Sequence, residues 1–384
     1  MKRRKFLFYS ILSILFILAI AFILGSGSHK PDPGKQHITV GICGCIKKDG
    51  VYRLPKNSDL ATLVMAAQGI TSRGDIRETD LGVSLQNDSI YHIPCRKDNT
   101  VIPWKPDNLG DFHVKYPNHN ERLINYLYIG FPAVYMLIQY SSEYKLINII
   151  YLPHSTVFMD NDYRLIDIFF TLGIEPTIRI LENELNQKID YYFIQNKPAF
   201  ITMIDNLGGI EVSVDRVFAD AYGLKNGNVL LDGWHAYEYI SFIDQKRHYR
   251  AKPGTKAMSD LQFELKDIEL AYDLRQERQL RVIQSLHRVF NTEDPSLRES
   301  QEVIGAILSK GTLDSNLDLK SGSEIFRILM EGAEISYGTL PGYYTRQDEN
   351  VYYIPDGPGY DLLRNRETRA LFELNRKNGT QTLY

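Results

Sequence analysis

A stretch near residue 280 has the hydrophobic spacing of a helix, but polar residues interrupt its apolar side. At about 100° per residue, one stripe within 271–290 collects large apolar side chains, namely Val282, Ile283, Leu286, Val289 and Phe290. Arg275 and Gln279 fall in the middle of that stripe, and Arg278 falls at its edge. Because a buried guanidinium needs a partner, this face indicates either a polar cavity, such as a phosphate-binding one, or an internal ion pair with a carboxylate. The helix by itself favours the ion pair, since structural ion pairs outnumber ligand sites.

The N-terminal residues combine charge and hydrophobicity in the order typical of a membrane anchor. Residues 1–5 form a basic tail, and residues 6–24 form an apolar run long enough to span a hydrocarbon core of about 30 Å. The basic flank predicts a cytoplasmic tail, with everything after the run outside the cell membrane. A cleaved signal peptide is the competing interpretation, but the run is longer than the usual apolar region of such peptides. Residues 25–36 are predicted to be a polar linker.

Residues 37–95 predict a small module in which a strand, a turn, a second strand, a short helix and a third strand follow one another. The positions that resemble the SLBB family, a soluble-ligand-binding version of the β-grasp fold, are Gly44, 50–52, 66–70, Asp75 and 87–90 ahead of Ile93-Pro94. The resemblance implies a module that binds sugars or glycans, or that serves as an assembly surface.

Residues 121–384 predict a larger domain, which follows an irregular, Pro-rich linker over 96–120. The runs 125–130 and 145–153 are nearly continuously apolar, as is typical of strands buried on both faces. Strands and helices alternate beyond them, which predicts an α/β (α+β) fold with a sheet flanked by helices. Residues 340–356 predict a terminal hairpin packed on the same domain.

Composition excludes some classes of partner. The chain has 384 residues, of which 43% are hydrophobic and 24% charged, enough for two or three globular domains. Removing the four basic residues of the tail from the net charge of −3 leaves −7 outside the membrane, which excludes nucleic acid as a partner. The odd set of Cys43, Cys45 and Cys95 leaves one thiol free or paired between chains, and we interpret these residues as small core residues.

Four groups of residues between 125 and 361 occur in a fixed order. They are Asp205 through Val212, Leu231-Asp232-Gly233 with Ala236 and Tyr239, the helix residues Arg275, Arg278 and Gln279, and Leu340-Pro341-Gly342. This series resembles the LytR–CpsA–Psr family of bacterial cell-envelope proteins, which are membrane-anchored through a single N-terminal helix.

The resemblance implies an activity outside the membrane. Family members transfer a glycopolymer from a polyprenyl-pyrophosphate carrier to peptidoglycan or a similar cell-wall acceptor, with the help of Mg²⁺ and clustered arginines. Arg275 and Arg278 match the family's helix arginines, and Gln279 matches its neighbouring glutamine, so the resemblance implies that they bind the pyrophosphate. The implied partners are a polyprenyl-linked glycan or lipid, an envelope glycan and the membrane.

Several family positions differ in this chain. The family's Pro-Arg-Asp-Thr motif appears as 153–156, Pro-His-Ser-Thr, so that His154 takes the place of a pyrophosphate-binding arginine. The segment 130–136 lacks the acid that binds the metal in the family, and Ser241 and Ile243 replace two further arginines. We therefore assign no metal ligand, and His154 joins the expected pyrophosphate site.

Three accessory residues complete the expected site. Asp205 precedes a Gly-Gly helix end, where a local cap is the simpler interpretation and a base the alternative. Asp244 and Arg247 lie in a basic loop that could restore charge to the site, although a solvated loop is the simpler interpretation.

Two functions remain open. One is a glycopolymer phosphotransferase, and the other is a catalytically degenerate relative that binds polyprenyl lipid or envelope glycan in assembly or regulation. A structural component of an exporter, suggested by the SLBB-like module alone, comes third.

Overall fold

The computed structural model describes residues 37–77, 79–97, 123–130, 132–158, 163–242, 265–290, 313–316, 333–347 and 350–379. The predicted tail (1–5), anchor (6–24) and linker (25–36) lie outside the described residues, as does most of the linker predicted over 96–120. Within the described part, no helix is both long and apolar enough to cross a membrane.

The first module is a three-stranded sheet with a short helix packed on it. Strand β1 (His37–Gly44) lies in the middle, β2 (Gly50–Pro55) pairs with it antiparallel, and β3 (Ile90–Ile93) pairs with it in parallel. Helix α1 (Leu60–Ala66) buries its apolar residues against the side of β1 that carries Val40. The predicted order of strands, turn and helix is therefore found.

A disulfide joins Cys45 to Cys95, which corrects the interpretation of all three cysteines as small core residues. The bridge spans 50 residues of sequence, and it forms because β3 lies beside β1 in parallel and brings the two ends together. Cys43 is the free thiol; its Sγ lies 3.7 Å from the carbonyl oxygen of Tyr91. A parallel strand pairing between distant segments leaves no local pattern in the sequence, so the pairing of the cysteines was not foreseeable.

Replacing Cys45 with serine should lower the free energy of unfolding of the first module by about 2–4 kcal/mol, because the unfolded chain regains the entropy of an open loop. Urea denaturation of the oxidised protein measures the change. Cys43→Ser, which removes only the free thiol, is the matched control. Equal stability of Cys45→Ser and the wild type would contradict the contribution of the bridge.

The described strands of the larger unit form one mixed sheet and two separate two-stranded antiparallel sheets. In chain order the strands are β4 (Leu123–Gly130), β5 (Val134–Ser141), β6 (Leu146–Tyr151), β7 (Tyr191–Gln195), β8 (Ile210–Val214), β9 (Gly227–Leu231), β10 (Leu313–Ser315), β11 (Glu334–Thr339), β12 (Gly342–Gln347) and β13 (Asn350–Pro355). The mixed sheet has the order β10-β7-β4-β5-β6-β11. Its central strands β4, β5 and β6 are antiparallel neighbours, whereas β7 joins β4 and β11 joins β6 in parallel.

Helices flank this sheet, as the α/β (α+β) prediction required. They are α2 (Leu165–Leu172), α3 (Ile174–Leu185), α4 (Lys197–Asn206), α5 (Arg216–Tyr222), α6 (Gly233–Ser241), α7 (Leu265–Phe290), α8 (Pro358–Arg364) and α9 (Thr368–Gly379). Strand β6 is buried along its whole length, which agrees with its continuous apolar run. The predicted hairpin is present as β12 and β13, but it is not terminal, because α8 and α9 follow it.

The two units share one apolar core. Leu63 and Ile70 of the first module belong to the same buried cluster as Leu127 and Phe170 of the larger unit. The closest approach is at Gly69, whose φ of +89° and contact with the carbonyl oxygen of Phe170 leave no space for a Cβ. The N–H of Ile70 donates to that same carbonyl oxygen over 2.9 Å. The first module is therefore packed directly on α2.

Candidate functional site

The polar residues on the apolar side of α7 are buried. Arg275, Arg278 and Gln279 are 5%, 3% and 3% exposed, and Val282 on the same face is 2% exposed. α7 packs against α6 and β8, so these side chains point between helices and not into solvent. The helical-wheel prediction that polar and apolar residues share one buried face is confirmed.

Arg278 has an internal carboxylate partner. Its Nε lies 2.8 Å from Oδ2 of Asp215, and its Nη1 donates to the carbonyl oxygen of Phe242 over 3.0 Å. Burial alone would raise the pKa of Asp215, but hydrogen bonds from Arg278 and from the N–H of Phe218 hold that pKa below its usual value. Asp215 also caps the N-terminus of α5. For Arg278, therefore, the ion-pair interpretation is the one that the structure supports.

Arg275 is held differently. Its Nε donates to the carbonyl oxygen of Ile240 over 3.3 Å, and Nε2 of Gln279 donates to the same oxygen over 3.2 Å. Ile240 lies in the last turn of α6, where carbonyl groups have no partner inside the helix. No carboxylate of the described residues pairs with Arg275, although its side chain is almost completely buried. Arg275 is therefore a buried cation held by a helix end.

His154 lies next to this cation. It lies three residues after the end of β6, and its ring centre lies 5.2 Å from that of Tyr272 on α7. Burial, followed by the charges of Arg275 and Arg164, lowers the pKa of His154 well below its usual value, so the imidazole is neutral at neutral pH. The structure thus brings His154, Arg275 and Gln279 together, as expected for one site.

Several buried polar atoms of the expected site residues and of their neighbours in sequence have no hydrogen-bond partner among the described residues. They include Nδ1 of His154, Oγ of Ser155 and Oε1 of Gln279. Buried polar groups are nearly always satisfied, so a cluster of unsatisfied ones needs an explanation. An anionic ligand would accept hydrogen bonds from Oγ of Ser155 and from a protonated Nδ1 of His154, whereas Oε1 of Gln279 only accepts and needs a donor.

Sequence reasoning missed Arg164. Arg164 is 9% exposed and forms a two-pronged pair with Asp167, with distances of 2.8 Å from Nε to Oδ2 and 3.0 Å from Nη2 to Oδ1. Its charge reaches His154. A pattern that could have revealed the pair is Arg followed three residues later by Asp at the start of an apolar helix. Because Asp167 neutralises it, Arg164 adds little net charge to the site.

Of the three accessory residues, Asp205 lies away from Arg275 and His154, and the other two lie outside the described residues. Oδ1 of Asp205 accepts a hydrogen bond from the N–H of Gly233 over 2.7 Å, at the first residue of α6. Asp205 also lines an open cavity of about 430 Å³ with Asp232 and His235, and neither Arg275 nor His154 lines that cavity. Asp244 and Arg247 lie outside the described residues.

The described residues near Arg275 do not fit a magnesium ion. Mg²⁺ prefers carboxylate oxygens in octahedral geometry, whereas His154, Ser155 and Gln279 offer neutral groups. The nearby Asp167 is already engaged by Arg164. Over the described ranges, no cluster of three or more His, Cys, Asp or Glu side chains is arranged to hold a metal.

Comparison with known proteins gives a consistent result. Residues 135–369 match the model of the LytR_cpsA_psr family. A stretch of 68 residues is 34% identical to the polyisoprenyl-teichoic acid–peptidoglycan teichoic acid transferase TagU of Bacillus licheniformis, and the TagU of Bacillus subtilis shows the same identity over the same length. That stretch is 17% of this chain and 22% of each relative, so the chain aligns with about a fifth of the length of these proteins.

Solved structures with a similar fold include Bacillus subtilis TagT, which is 18% identical with a TM-score of 0.46 over 65% of this chain and 91% of that one. Another is Bacillus subtilis TagU, which is 17% identical with a TM-score of 0.43 over 65% of this chain and 96% of that one.

The lowered pKa of His154 predicts a specific dependence of stability on pH. The unfolded chain takes up a proton near the usual histidine pKa of about 6.5, whereas the folded chain takes it up only at lower pH. Stability should therefore fall as the pH drops below about 6.5, by up to about 1.4 kcal/mol per unit from this residue. Urea unfolding of the wild type and His154→Asn at pH 8, 6.5 and 5.5 measures the difference. Parallel pH profiles for the two proteins would show that His154 is not responsible.

Proposed function

The chain belongs to the LytR_cpsA_psr family, and we propose that it acts in the assembly of cell-envelope glycopolymers, outside the cell membrane and anchored by residues 6–24. In this proposal the pocket at Arg275 binds the diphosphate of a polyprenyl-linked glycopolymer, and the glycopolymer is transferred to a cell-wall glycan. The name of the relative TagU describes such a transfer, from a polyisoprenyl carrier to peptidoglycan.

The observation that carries the proposal is the buried and uncompensated charge of Arg275. Removing a guanidinium from water costs several kcal/mol unless an anion or several hydrogen bonds compensate it. In the described residues Arg275 has the single acceptor at Ile240. A diphosphate oxygen would supply the missing charge, and the planar fork of arginine suits two phosphate oxygens at once.

The chemistry of the proposed transfer depends on position and charge. The acceptor hydroxyl attacks the phosphorus next to the sugar and a phosphodiester forms. Polyprenyl monophosphate leaves with the electron pair of the broken P–O bond, and the hydroxyl proton passes to water or to the leaving phosphate. Such transfers are accelerated mainly by alignment and by stabilisation of charge on the phosphate oxygens. Arg275 would stabilise that charge. The neutral His154 would form a hydrogen bond to a phosphate oxygen or to the incoming hydroxyl.

A second candidate function is binding without turnover. Asp215 neutralises Arg278 and Asp167 neutralises Arg164, so that Arg275 faces a diphosphate with little help from the described cations. Ser241 also stands where the family has an arginine. These observations favour a family member that holds a polyprenyl lipid or an envelope glycan for assembly or regulation.

Arg275→Ala should weaken the binding of farnesyl diphosphate, a short polyprenyl diphosphate, about tenfold or more, since a charge-assisted hydrogen bond contributes about 1.5–3 kcal/mol. Isothermal titration of the full chain in detergent measures the affinity. Arg288→Ala, which removes an exposed arginine of the same helix, is the control. Arg275→Lys keeps the charge without the fork and should lie between the two. Unchanged affinity in Arg275→Ala would contradict the proposed binding of the diphosphate at Arg275.

Turnover separates the two candidate functions. The full chain is incubated with a polyprenyl-diphosphate-linked glycan and a peptidoglycan acceptor, with and without Mg²⁺. We expect a transferase to release polyprenyl monophosphate and to label the acceptor under at least one of these two conditions. Diphosphate binding with no release under either condition would assign the chain to the binding function.

A further inference from the structure

A buried carboxylate of the first module contacts a helix of the larger unit. Oδ2 of Asp59 accepts a hydrogen bond from the hydroxyl of Tyr237, on α6, over 2.8 Å. The two residues are separated by 178 positions in sequence, and they are 0% and 1% exposed. Oδ1 of Asp59 accepts from the N–H and the hydroxyl of Thr62, which fixes the carboxylate at the start of α1.

A buried lysine accompanies this contact. Nζ of Lys197, at the start of α4, lies 2.9 Å from Oε1 of Glu238 and 3.0 Å from Oγ of Ser84 in the first module. The same Nζ lies 4.4 Å from the ring centre of Tyr237. Lys197 is 1% exposed, so water screens its charge less than at the surface. Tyr237 is therefore held between a carboxylate of one unit and an ammonium of the other.

The helix that carries Tyr237 also binds the guanidinium of Arg275. Ile240, three residues after Tyr237 on α6, accepts the hydrogen bonds from Arg275 and Gln279. Burial and the charge of Asp59 raise the pKa of the Tyr237 phenol. Arg275 is close enough for its positive charge to oppose this rise. A displacement of α6 would move the Ile240 acceptor and with it the guanidinium of Arg275.

We propose that Asp59 and Tyr237 are positioning residues, through which the docked first module fixes α6 and thereby places Arg275 in the pocket. The expected effect on diphosphate affinity rests on the proposed function, whereas the expected effect on the position of the Arg275 guanidinium does not. In this view the first module completes the pocket without touching its ligand.

Two variants test the pair with little change in shape. Tyr237→Phe removes only the hydroxyl, and Asp59→Asn keeps the acceptor for Thr62 while it removes the charge. Tyr239→Phe is the matched control, because Tyr239 is equally buried on the same helix but donates to the carbonyl oxygen of Ser213, away from the first module. Thermal unfolding first establishes that each variant is folded at the temperature of measurement.

The ligand-free readout is the Nε–H group of Arg275 in the arginine-labelled full chain, observed by NMR and assigned by its loss in Arg275→Lys. Exchange of this hydrogen with water should be about tenfold faster in Tyr237→Phe and Asp59→Asn, which corresponds to the loss of roughly one buried hydrogen bond. Tyr239→Phe should exchange like the wild type. Equal acceleration in all three variants, or none in Tyr237→Phe and Asp59→Asn, would overturn the positioning role and leave the pair as a stabilising contact.

The second readout is the affinity for farnesyl diphosphate. We expect it to weaken severalfold in Tyr237→Phe and Asp59→Asn, and a double variant should lose no more than the stronger single one, because both residues act through one contact. A wild type that binds no diphosphate refutes the proposed function, while the exchange of Arg275 still decides the positioning role. Wild-type affinity in both variants refutes the positioning role and leaves the proposed function standing.

Discussion

The carbonyl oxygen of Ile240, at the C-terminal end of α6, accepts hydrogen bonds from both Arg275 and Gln279. A helix end of this kind carries partial negative charge, which makes it a suitable acceptor for a cation away from water. It compensates only part of the full charge of Arg275. The position of α6 therefore decides where the positive charge of the site lies.

Contacts along the whole length of α6 fix that position. At its start, Gly233 lies so close to the carbonyl oxygen of Ile201 on α4 that a Cβ would overlap it, and its N–H is bound by Asp205. In the middle, Tyr237 is bound by Asp59 of the first module. Several of the residues that resemble the LytR–CpsA–Psr motifs, Asp205 and Gly233 among them, thus form the scaffold around α6.

Local patterns predicted the fold well, and they predicted the partners of the buried charges poorly. The spacing around Val282 was enough to place Arg275 and Arg278 on a buried face of one helix. Of the two, only Arg278 has a carboxylate partner among the described residues, Asp215. This partner is 63 residues away in sequence, and the turn between β8 and α5 brings it near. Nothing in the helix distinguishes the two arginines, because the distinguishing group lies on another element. The same holds for Asp59, whose partner is 178 residues away.

The distribution of charge links the site to the question of turnover. Arg278 is paired with Asp215 and Arg164 with Asp167, so neither arginine offers an unpaired positive charge to a ligand. His154 adds no positive charge at neutral pH, because burial and the charges of Arg275 and Arg164 lower its pKa. In the proposed function, Arg275 is then the dominant cation for a bound diphosphate. Rapid phosphoryl transfer requires more positive charge around the departing oxygen. The described cations near Arg275 do not supply that charge.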